Sequence, residues 1–371
     1  MKKILIVSFP WTDNYGGILQ IYALSRVLEK KGFHVDVLNC YDKKKIQAGY
    51  TRKQLLIHSS WNLIKGPLGG WARHHKTNRF RKAFLSLTRK YSDSDQLKGR
   101  FEDYDYVIVG SDQVWNMAIS NDPDMFFLKF AEAPHKVSYA ASFGKDYCDE
   151  KYYGLIEKEV GSFSGVSVRD SFSRSILHKI CNADCCITLD PTLLLNKTEW
   201  DRIIKQKRKH GKKYILCYYM PTSNTKVIDA IRKIGWDLAS EFDCSVVNIG
   251  KKEYEVLKFW QKNNTWAGPL ECLNLLQGAE YVVTNSFHGT IFSINFQKEF
   301  FACVDSSVDT RENLAGRIED VLTRVGLRDR MIDCSTEPAK AHCEKIDYSK
   351  VQPKLAMHVK ESEGFIDRAL T

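Results

Sequence analysis

The feature that most constrains this chain is a repeated pattern in which a short apolar run stops at a cluster of small or charged residues. The runs cover residues 106–109, 137–141, 165–168 and 186–189, and they stop at Gly110-Ser111-Asp112, Ser142-Phe143-Gly144, Arg169-Asp170 and Asp190-Pro191-Thr192. A short continuous apolar run is typical of a buried strand. Because the carboxyl ends of parallel strands meet at one edge of a sheet, the pattern predicts an α/β fold whose polar strand ends converge on a crevice.

The amino-terminal segment predicts a β-α-β unit of the kind that builds such a sheet. A strand over Lys3–Phe9 is followed by the glycine-bearing turn Asn14-Tyr15-Gly16-Gly17 and by a helix that reaches about Lys31. Gly32 predicts the end of this helix, and His34–Asn39 predicts the next strand. The backbone amides of the turn could cradle an anionic or sugar group at the helix start, although a tight turn alone would also explain the glycines.

A second sheet is predicted from Tyr214 onward. Strands are predicted over 214–219 and 245–249, and helices from 226, over 270–277, over 312–327 and over 348–370. The charged and polar stretch 196–213 predicts a domain boundary. A length of 371 residues also suits two domains better than one core.

The positive charge of the chain is local. The formal net charge is +10, yet residues 43–90 contain thirteen Lys or Arg and no Asp or Glu, so the rest of the chain carries −3 (10 minus 13). Trp, Leu, Ile and Phe side chains are interleaved with these cations, and they are Trp61, Leu63, Ile64, Leu68, Trp71, Phe80 and Phe84. Such a segment suits an anionic membrane surface or a phosphate-rich ligand. A solvated insertion whose aromatic side chains pack on their own domain is an equal alternative, whereas no recognisable nucleic-acid module supports binding to nucleic acid.

Composition excludes several other classes of protein. The eleven cysteines are odd in number and form no C-x-x-C pair, which argues against a zinc ribbon and a dithiol redox site. No apolar run approaches the roughly 20 residues that span a bilayer. The basic and apolar amino terminus has no signal-peptide cleavage site, so the pattern predicts a buried strand there. We therefore expect reduced thiols, a cytoplasmic location, no metal and no cofactor.

Another strand end carries a histidine. The β-rich run 279–284 is followed by Asn285-Ser286-Phe287-His288-Gly289 and by the helix-compatible segment Ile291–Phe296. This order predicts that His288 lies at the carboxyl end of a strand, beside the amino end of a helix, where anions are favoured. An imidazole there could act as a general acid or base. A histidine that is merely hydrogen-bonded inside a turn is the alternative.

Taken together, these segments resemble the polysaccharide pyruvyl transferase family. The matching pieces are Asn14-Tyr15-Gly16-Gly17, residues 110–116 (GSDQVWN), residues 138–144 (SYAASFG), Val168-Arg169-Asp170, Leu189-Asp190-Pro191-Thr192 and Ser286-Phe287-His288-Gly289. The resemblance implies two Rossmann-like domains that face each other across a cleft, as in GT-B glycosyltransferases. It also implies phosphoenolpyruvate as donor and a pair of sugar hydroxyls as acceptor, giving a pyruvate ketal on a cell-surface polysaccharide such as a capsule or exopolysaccharide.

With this resemblance we predict three regions. An amino-terminal Rossmann-like domain over 1–195 carries the basic insertion 43–90 and lies on the acceptor and membrane side. A carboxyl-terminal Rossmann-like domain over 196–345 lies on the donor side, and a closing helix follows over 346–371. The acceptor is expected to be a sugar or a lipid-diphosphate-linked oligosaccharide, with peripheral contact between the protein and the inner face of the plasma membrane.

The resemblance also implies roles for single residues. His288 and Asp112 are the predicted catalytic residues, although the Gly-Ser-Asp setting of Asp112 also fits a helix cap. Arg169 is predicted to bind the carboxylate or phosphate of the donor, because a guanidinium can pair with either in bidentate fashion, and an Arg169–Asp170 surface pair is the alternative. The predicted acceptor-binding residues are Asn14, Tyr15, Gly16, Gly17, Gln113, Trp115 and Asn116.

One position departs from the family pattern. Many members carry an arginine two residues before the histidine, and this chain has Ser286 there. Ser286 and Gly289 are still predicted to lie at the donor, and Arg317 or Arg311 is the candidate for the missing cation. Two other functions stay open, a GT-B glycosyltransferase that uses a nucleotide sugar and a non-catalytic glycan-binding relative.

Overall fold

The computed structural model describes most of the chain. The described residues are 1–40, 67–120, 122–131, 135–183, 185–204, 213–220, 222, 224–250, 262–263, 266–307, 315–335 and 344–371. The chain divides into two compact units. Unit 1 comprises Met1–Leu68, Thr77–Leu194 and His358–Thr371, and unit 2 comprises Gly69–Lys76 and Leu195–Met357.

Unit 1 is built on a six-stranded sheet. Its strands are β1 (Lys3–Val7), β2 (His34–Val37), β3 (Tyr106–Val109), β4 (His135–Ala141), β5 (Gly165–Val168) and β6 (Cys186–Ile187). All neighbours pair in parallel in the order β2-β1-β3-β4-β5-β6. The chain moves outward from β1 to β2 and then returns to β3 on the other side of β1. The switch point of this sheet therefore lies between the carboxyl ends of β1 and β3.

Helices accompany this sheet. They are α1 (Tyr15–Lys30), α2 (Pro67–Phe84), α3 (Met117–Ser120), α4 (Pro123–Phe126), α5 (Tyr153–Val160) and α6 (Ser171–Cys181). Within α2, the residues Gly69–Lys76 belong to unit 2. Strand β3 is apolar throughout and all four of its residues are buried, because both faces of a central parallel strand are covered. The predicted strand 186–189 is shorter in the structure, since the Leu189 N–H donates to Ser362 Oγ (2.9 Å) instead of to a neighbouring strand.

Part of the basic insertion is helical, which the sequence analysis did not predict. The Phe80 and Phe84 rings of α2 pack against Tyr22 of α1, with ring centroids 5.8 and 5.6 Å apart. Phe80 is only 2% exposed. For these two aromatic residues the packing alternative is therefore correct. The other apolar side chains of the insertion, from Trp61 to Trp71, lie outside the described side chains.

Unit 2 contains a second six-stranded parallel sheet. Its strands are β7 (Tyr214–Tyr219), β8 (Ser245–Gly250), β9 (Lys262–Asn263), β10 (Tyr281–Thr284), β11 (Glu299–Val304) and β12 (Met331–Asp333). The order is β12-β11-β10-β7-β8-β9, with parallel pairing throughout. This is the order of the dinucleotide-binding Rossmann sheet, and its switch point lies between β7 and β10.

The helices of unit 2 complete the α/β pattern. They are α7 (Lys197–Ile203), α8 (Thr225–Glu241), α9 (Pro269–Gly278), α10 (Phe287–Asn295), α11 (Ala315–Val325) and α12 (Tyr348–Ala369). The residues of α12 up to Met357 belong to unit 2 and those from His358 belong to unit 1. None of the helices in the described ranges has the length and apolarity that a bilayer crossing requires.

The predicted α/β class with two parallel sheets is confirmed. The facing of the two domains across a cleft stays a prediction, as do the domain bounds at residues 195 and 345.

Candidate functional site

The switch point of the unit 1 sheet brings two predicted motifs together. Asn14 caps α1, since its Oδ1 accepts hydrogen bonds from the Gly16 and Gly17 N–H groups at 3.0 and 3.4 Å. A Cβ atom on Gly17 would lie 2.8 Å from Thr12 Cγ2 and 3.3 Å from Asp112 Oδ2. Glycine at this position therefore leaves room for the carboxylate that follows β3.

Asp112 has an unusual backbone. Its φ of 81° lies in the left-handed region, which residues other than glycine adopt uncommonly. The surrounding structure holds this conformation, because the Asp112 carbonyl accepts from the Ser142 N–H at 3.0 Å and its Oδ1 accepts from the Gln113 N–H at 2.8 Å. Backbone strain of this kind clusters at functional sites, so the conformation supports a role for Asp112 beyond that of a helix cap.

A buried ion-pair network joins the ends of three strands. Arg169 Nη1 lies 3.1 Å from Asp190 Oδ2 and 3.8 Å from Asp112 Oδ1. The three side chains are 2%, 0% and 15% exposed, respectively. Asp190 also accepts from Ser111 Oγ at 3.1 Å and from Thr192 Oγ1 at 2.8 Å. Burying a charge without a partner costs free energy, so these ion pairs hold the Asp112 carboxylate in place through its Oδ1.

The neighbouring Asp170 has a different environment from Arg169. Its carboxylate accepts from the Ser173 N–H at 2.9 Å and from Ser142 Oγ at 2.5 Å, and it caps α6. The alternative of an Arg169–Asp170 surface pair is therefore not what the structure contains, since the Arg169 side chain is buried and its partners include Asp190 and Asp112.

Three of the other predicted acceptor residues, Tyr15, Trp115 and Asn116, are buried. Trp115 is fully buried, its indole N–H donates to the Phe126 carbonyl at 3.1 Å, and its ring stacks on Phe127. Tyr15 is also buried, at 5% exposure. Asn116 Nδ2 donates to Gln113 Oε1 at 2.8 Å, so these two amides form a pair beside Asp112.

Within unit 2, the loops after β7 and β10 are tied together at the switch point. Asn285 Oδ1 accepts from the Met220 N–H at 2.7 Å, and Asn285 Nδ2 donates to the Met220 carbonyl at 3.1 Å. Ser286 then caps α10, with its Oγ accepting from the Gly289 N–H at 3.1 Å. The helix begins at Phe287, earlier than the predicted Ile291, and His288 therefore lies inside its first turn.

Close approach of the backbone sets the position of His288. A Cβ atom on Gly289 would lie 2.7 Å from Thr284 Oγ1 and 2.9 Å from Tyr218 Cδ1, so α10 packs against the strand ends only with glycine there. His288 is 8% exposed, and its ring meets that of Phe287 edge to face at a centroid distance of 5.4 Å. Its place at the amino end of α10 favours a negatively charged ligand nearby.

One candidate for the missing cation lies near this helix start. Arg317 on α11 is 7% exposed, and its guanidinium carbon lies 5.9 Å from the centroid of the Phe287 ring. The structure thus brings Arg317 to the residue that precedes His288. The other candidate, Arg311, lies outside the described residues.

The sequence analysis missed two acidic residues at this edge, Asp305 after β11 and Asp333 at the end of β12. Hydrogen bonds from Ser307 and from Asn224 Nδ2, the latter at 2.7 Å, lower the pKa of the Asp305 carboxyl. The signal was present, because Asp305-Ser306-Ser307 follows the apolar run 299–304 in the same strand-end pattern as in unit 1.

In the described part of the chain, no group of three or more His, Cys, Asp or Glu side chains could hold a metal ion.

The sequence matches a family model over a range that includes residues at the carboxyl edges of both sheets. The family model "Polysaccharide pyruvyl transferase" matches residues 14–307, a range that contains the motifs of both units. A comparison with curated proteins gives no significant match.

Solved structures resemble the chain in fold. The UDP-GlcNAc 2-epimerase from Methanocaldococcus jannaschii is 12% identical over 97% of this chain and 92% of that chain, with a TM-score of 0.50. A putative UDP-N-acetylglucosamine 2-epimerase from Listeria monocytogenes is 11% identical over 98% of each chain, with a TM-score of 0.49. The E. coli ADP-heptose lps heptosyltransferase II is 12% identical over 98% of this chain and 100% of that chain, with a TM-score of 0.40. At 12% identity, the likeness to the Methanocaldococcus jannaschii epimerase concerns the fold alone.

Proposed function

Since the chain belongs to the polysaccharide pyruvyl transferase family, we propose that it transfers the pyruvyl group of phosphoenolpyruvate to a pair of sugar hydroxyls as a ketal. The observation that carries the proposal is the position of the family motifs. Motif residues that are far apart in sequence lie at the carboxyl edge of each parallel sheet, next to its switch point, where α/β proteins bind ligands.

The proposed reaction sets clear demands on the site. The terminal carbon of phosphoenolpyruvate gains a proton, which makes the central carbon oxocarbenium-like. Two sugar hydroxyls form C–O bonds to that carbon, the C–O bond to phosphate breaks, and inorganic phosphate leaves. Of the two hydroxyl protons, one balances the proton gained by the methyl group and the other leaves with phosphate. The site therefore needs a base for the hydroxyls, an acid for the carbon, and cations for the carboxylate and phosphate.

We assign the base to Asp112. Its Oδ1 is held by the Gln113 N–H and faces Arg169, whereas Oδ2 lies beside Gly17 and accepts no hydrogen bond from the described residues. An anchored carboxylate with one available oxygen can orient a sugar hydroxyl and take its proton. The Asn14–Gly17 turn and the Gln113–Asn116 amide pair would contact the same sugar.

Arg169 combines two tasks in this proposal. Its Nη1 lies 3.1 Å from Asp190 Oδ2 and 3.8 Å from Asp112 Oδ1 and supplies a countercharge to both side chains. The planar fork of a guanidinium matches a carboxylate or phosphate, so Arg169 would also contact one of these groups of the donor.

In unit 2 we assign the acid and a second group of anion-binding residues. His288 would give the enol carbon its proton as the general acid, and the amino end of α10 with Ser286 and Gly289 would face the phosphate. Arg317 would take the place of the family arginine that Ser286 replaces, because it lies within reach of the same helix start.

The partners and location follow as further parts of this proposal. Exposed basic side chains of α2, among them Arg79 and Lys82, would meet an anionic membrane or the diphosphate of a lipid-linked acceptor. The protein would then work in the cytoplasm at the inner face of the plasma membrane, in capsule or exopolysaccharide synthesis. Liposome co-sedimentation with and without neutralisation of Arg79 and Lys82 checks this, and an unchanged bound fraction would contradict it.

The function itself is tested by incubating the protein with phosphoenolpyruvate and a panel of glycans. We expect release of inorganic phosphate together with a product heavier by pyruvate less water, and loss of both in His288→Gln. Protection against thermal unfolding should come from phosphoenolpyruvate. Protection by UDP or GDP sugars instead, with transfer of a sugar, would indicate a glycosyltransferase, and glycan binding without any turnover would indicate a non-catalytic relative.

A further inference from the structure

A pocket of about 220 Å³ lies at the carboxyl edge of the unit 1 sheet, one strand away from the switch point. Its walls come from the loop after β3 and the loop after β4, which are neighbouring strands. Buried side chains, those of Trp115, Asn116 and Phe143, form the inner wall. Polar and aromatic side chains that are more exposed, including Lys145 and Tyr147, form the rim.

The rim of the pocket contains an aromatic side chain, Tyr147, that is not buried in the hydrophobic core. Tyr147 is 43% exposed, whereas the aromatic residues of the inner wall, Trp115 and Phe143, are 0% and 2% exposed. A tyrosine offers a large rigid apolar face and a polar tip. Pockets that pair aromatic faces with a few polar groups suit amphipathic ligands, and a sugar ring has an apolar C–H face and hydroxyls around its edge.

The charge of the rim is unbalanced. Lys151 is paired with Asp149 at 2.7 Å. Lys145 Nζ lies 3.4 Å from the hydroxyl of Tyr147 and 5.4 Å from the centroid of its ring, and no carboxylate in the described ranges lies within ion-pair distance of it. The pocket thus contains a cation next to the aromatic ring, an arrangement that favours an anionic ligand.

The pocket is connected to the proposed base by a short chain of contacts. Asn116 on its inner wall donates to Gln113 Oε1 at 2.8 Å, and the Gln113 N–H donates to Asp112 Oδ1 at 2.8 Å. Gly144, with a φ of 69°, lies under the Gln113 side chain, where any Cβ atom would overlap it. A ligand in the pocket therefore lies beside the residues that were assigned to the acceptor.

We propose that this pocket binds a sugar ring bearing a carboxylate or phosphate, as the residue of the acceptor next to the one that reacts at Asp112. The ring stacks on Tyr147 and the anionic group pairs with Lys145. The identification of this sugar as part of the acceptor rests on the proposed function. Binding of the sugar to the pocket needs no donor.

Ligand titrations of the full chain by NMR, without phosphoenolpyruvate, test the proposal. The probes are methyl glucuronide, glucose 1-phosphate and neutral methyl glucoside, and the first two distinguish a uronic acid from a sugar phosphate. We expect at least one anionic probe to bind more tightly than the glucoside. Lys145→Ala should weaken that probe roughly two- to fivefold, and Tyr147→Ala roughly tenfold. Lys129→Ala is the matched control, since Lys129 is an exposed lysine of unit 1 paired with Asp124.

Three results would overturn the proposal. The first is binding of the anionic probes that neither Lys145→Ala nor Tyr147→Ala changes, and the second is a glucoside that binds as tightly as both anionic probes. The third is Lys145-dependent binding of phosphoenolpyruvate that displaces the sugars, which would make the pocket a donor site. If the anionic sugars bind as expected but phosphoenolpyruvate is never consumed, the pocket stands and the proposed function fails.

Discussion

The carboxyl edges of the two sheets hold their polar groups by different means. In unit 1, charge is held by countercharge, because Arg169 lies between the carboxylates of Asp190 and Asp112. In unit 2, the edge is held by short side chains, with Asn285 bridging to Met220 and Gly289 letting α10 approach the strand ends. We therefore expect unit 1 to be destabilised by loss of charge at constant side-chain size, and unit 2 by gain of side-chain size at constant charge.

The largest expected effect concerns the chemistry at the unit 2 edge. His288→Gln keeps a polar side chain of similar size but removes the titrating imidazole, so kcat for phosphate release should fall roughly 10²- to 10⁴-fold. The exposed His178 on α6 provides the control, and His178→Gln should leave kcat unchanged. Equal rates for the wild type and His288→Gln would show that His288 is structural.

The next effect tests the countercharge in unit 1. Asp190→Asn keeps the size of a side chain that is 0% exposed but removes the main partner of Arg169. Because this substitution weakens the countercharge of the buried Arg169, we expect a loss of about 3 kcal/mol in the free energy of unfolding, measured with urea. Asp124→Asn breaks an exposed pair with Lys129 and should cost about 1 kcal/mol or less. Similar costs for the two variants would contradict the comparison.

A smaller effect tests the close approach in unit 2. Gly289→Ala places a methyl group 2.7 Å from Thr284 Oγ1, and the resulting overpacking should cost about 1–3 kcal/mol of unfolding free energy. Gly154→Ala is the control, because nothing lies within 4 Å of its added Cβ. A Gly289→Ala protein as stable as the Gly154→Ala protein would mean that size is not what limits this edge.

The smallest effect is a dependence of stability on pH that comes from Asp333 in unit 2. Burial by itself would raise the pKa of Asp333, but hydrogen bonds from Ser306 and Ser335 outweigh it and lower the pKa to about 2 from 3.8. A lowered pKa stabilises the fold above pH 3.8, and this contribution is lost as the pH falls towards 2. The stability of the wild type should therefore exceed that of Asp333→Asn at pH 6, with the difference shrinking between about pH 4 and 2. Thermal unfolding measures this, and a difference that does not change with pH would contradict it.

Local patterns allowed much of the fold to be predicted. The strands β3, β5 and β7 have the predicted bounds because each is a short apolar run that stops at a polar cluster. Helix α2 was missed, since its sequence has two consecutive glycines and no regular apolar spacing. Its packing of Phe80 and Phe84 on Tyr22 is tertiary and leaves no local signal.

The candidate site shows the same limit. The placement of Asp112 and Arg169 at strand ends followed from the sequence, but the pairing of Arg169 with Asp190 depends on β5 and β6 being neighbours. The sequence analysis recognised Asp190 only as part of a motif and gave it no role. The early start of α10 was also missed, because Ser286 was read as a donor residue and not as a helix cap.

The most direct measurement of the central claim is the reaction in heavy water, followed by NMR and mass spectrometry of the product. If phosphoenolpyruvate is protonated and converted to a ketal, phosphate is released and the new methyl group carries one deuterium. A product that keeps its methylene as an enol ether, or the absence of phosphate release with every glycan supplied, would contradict ketal transfer by this protein.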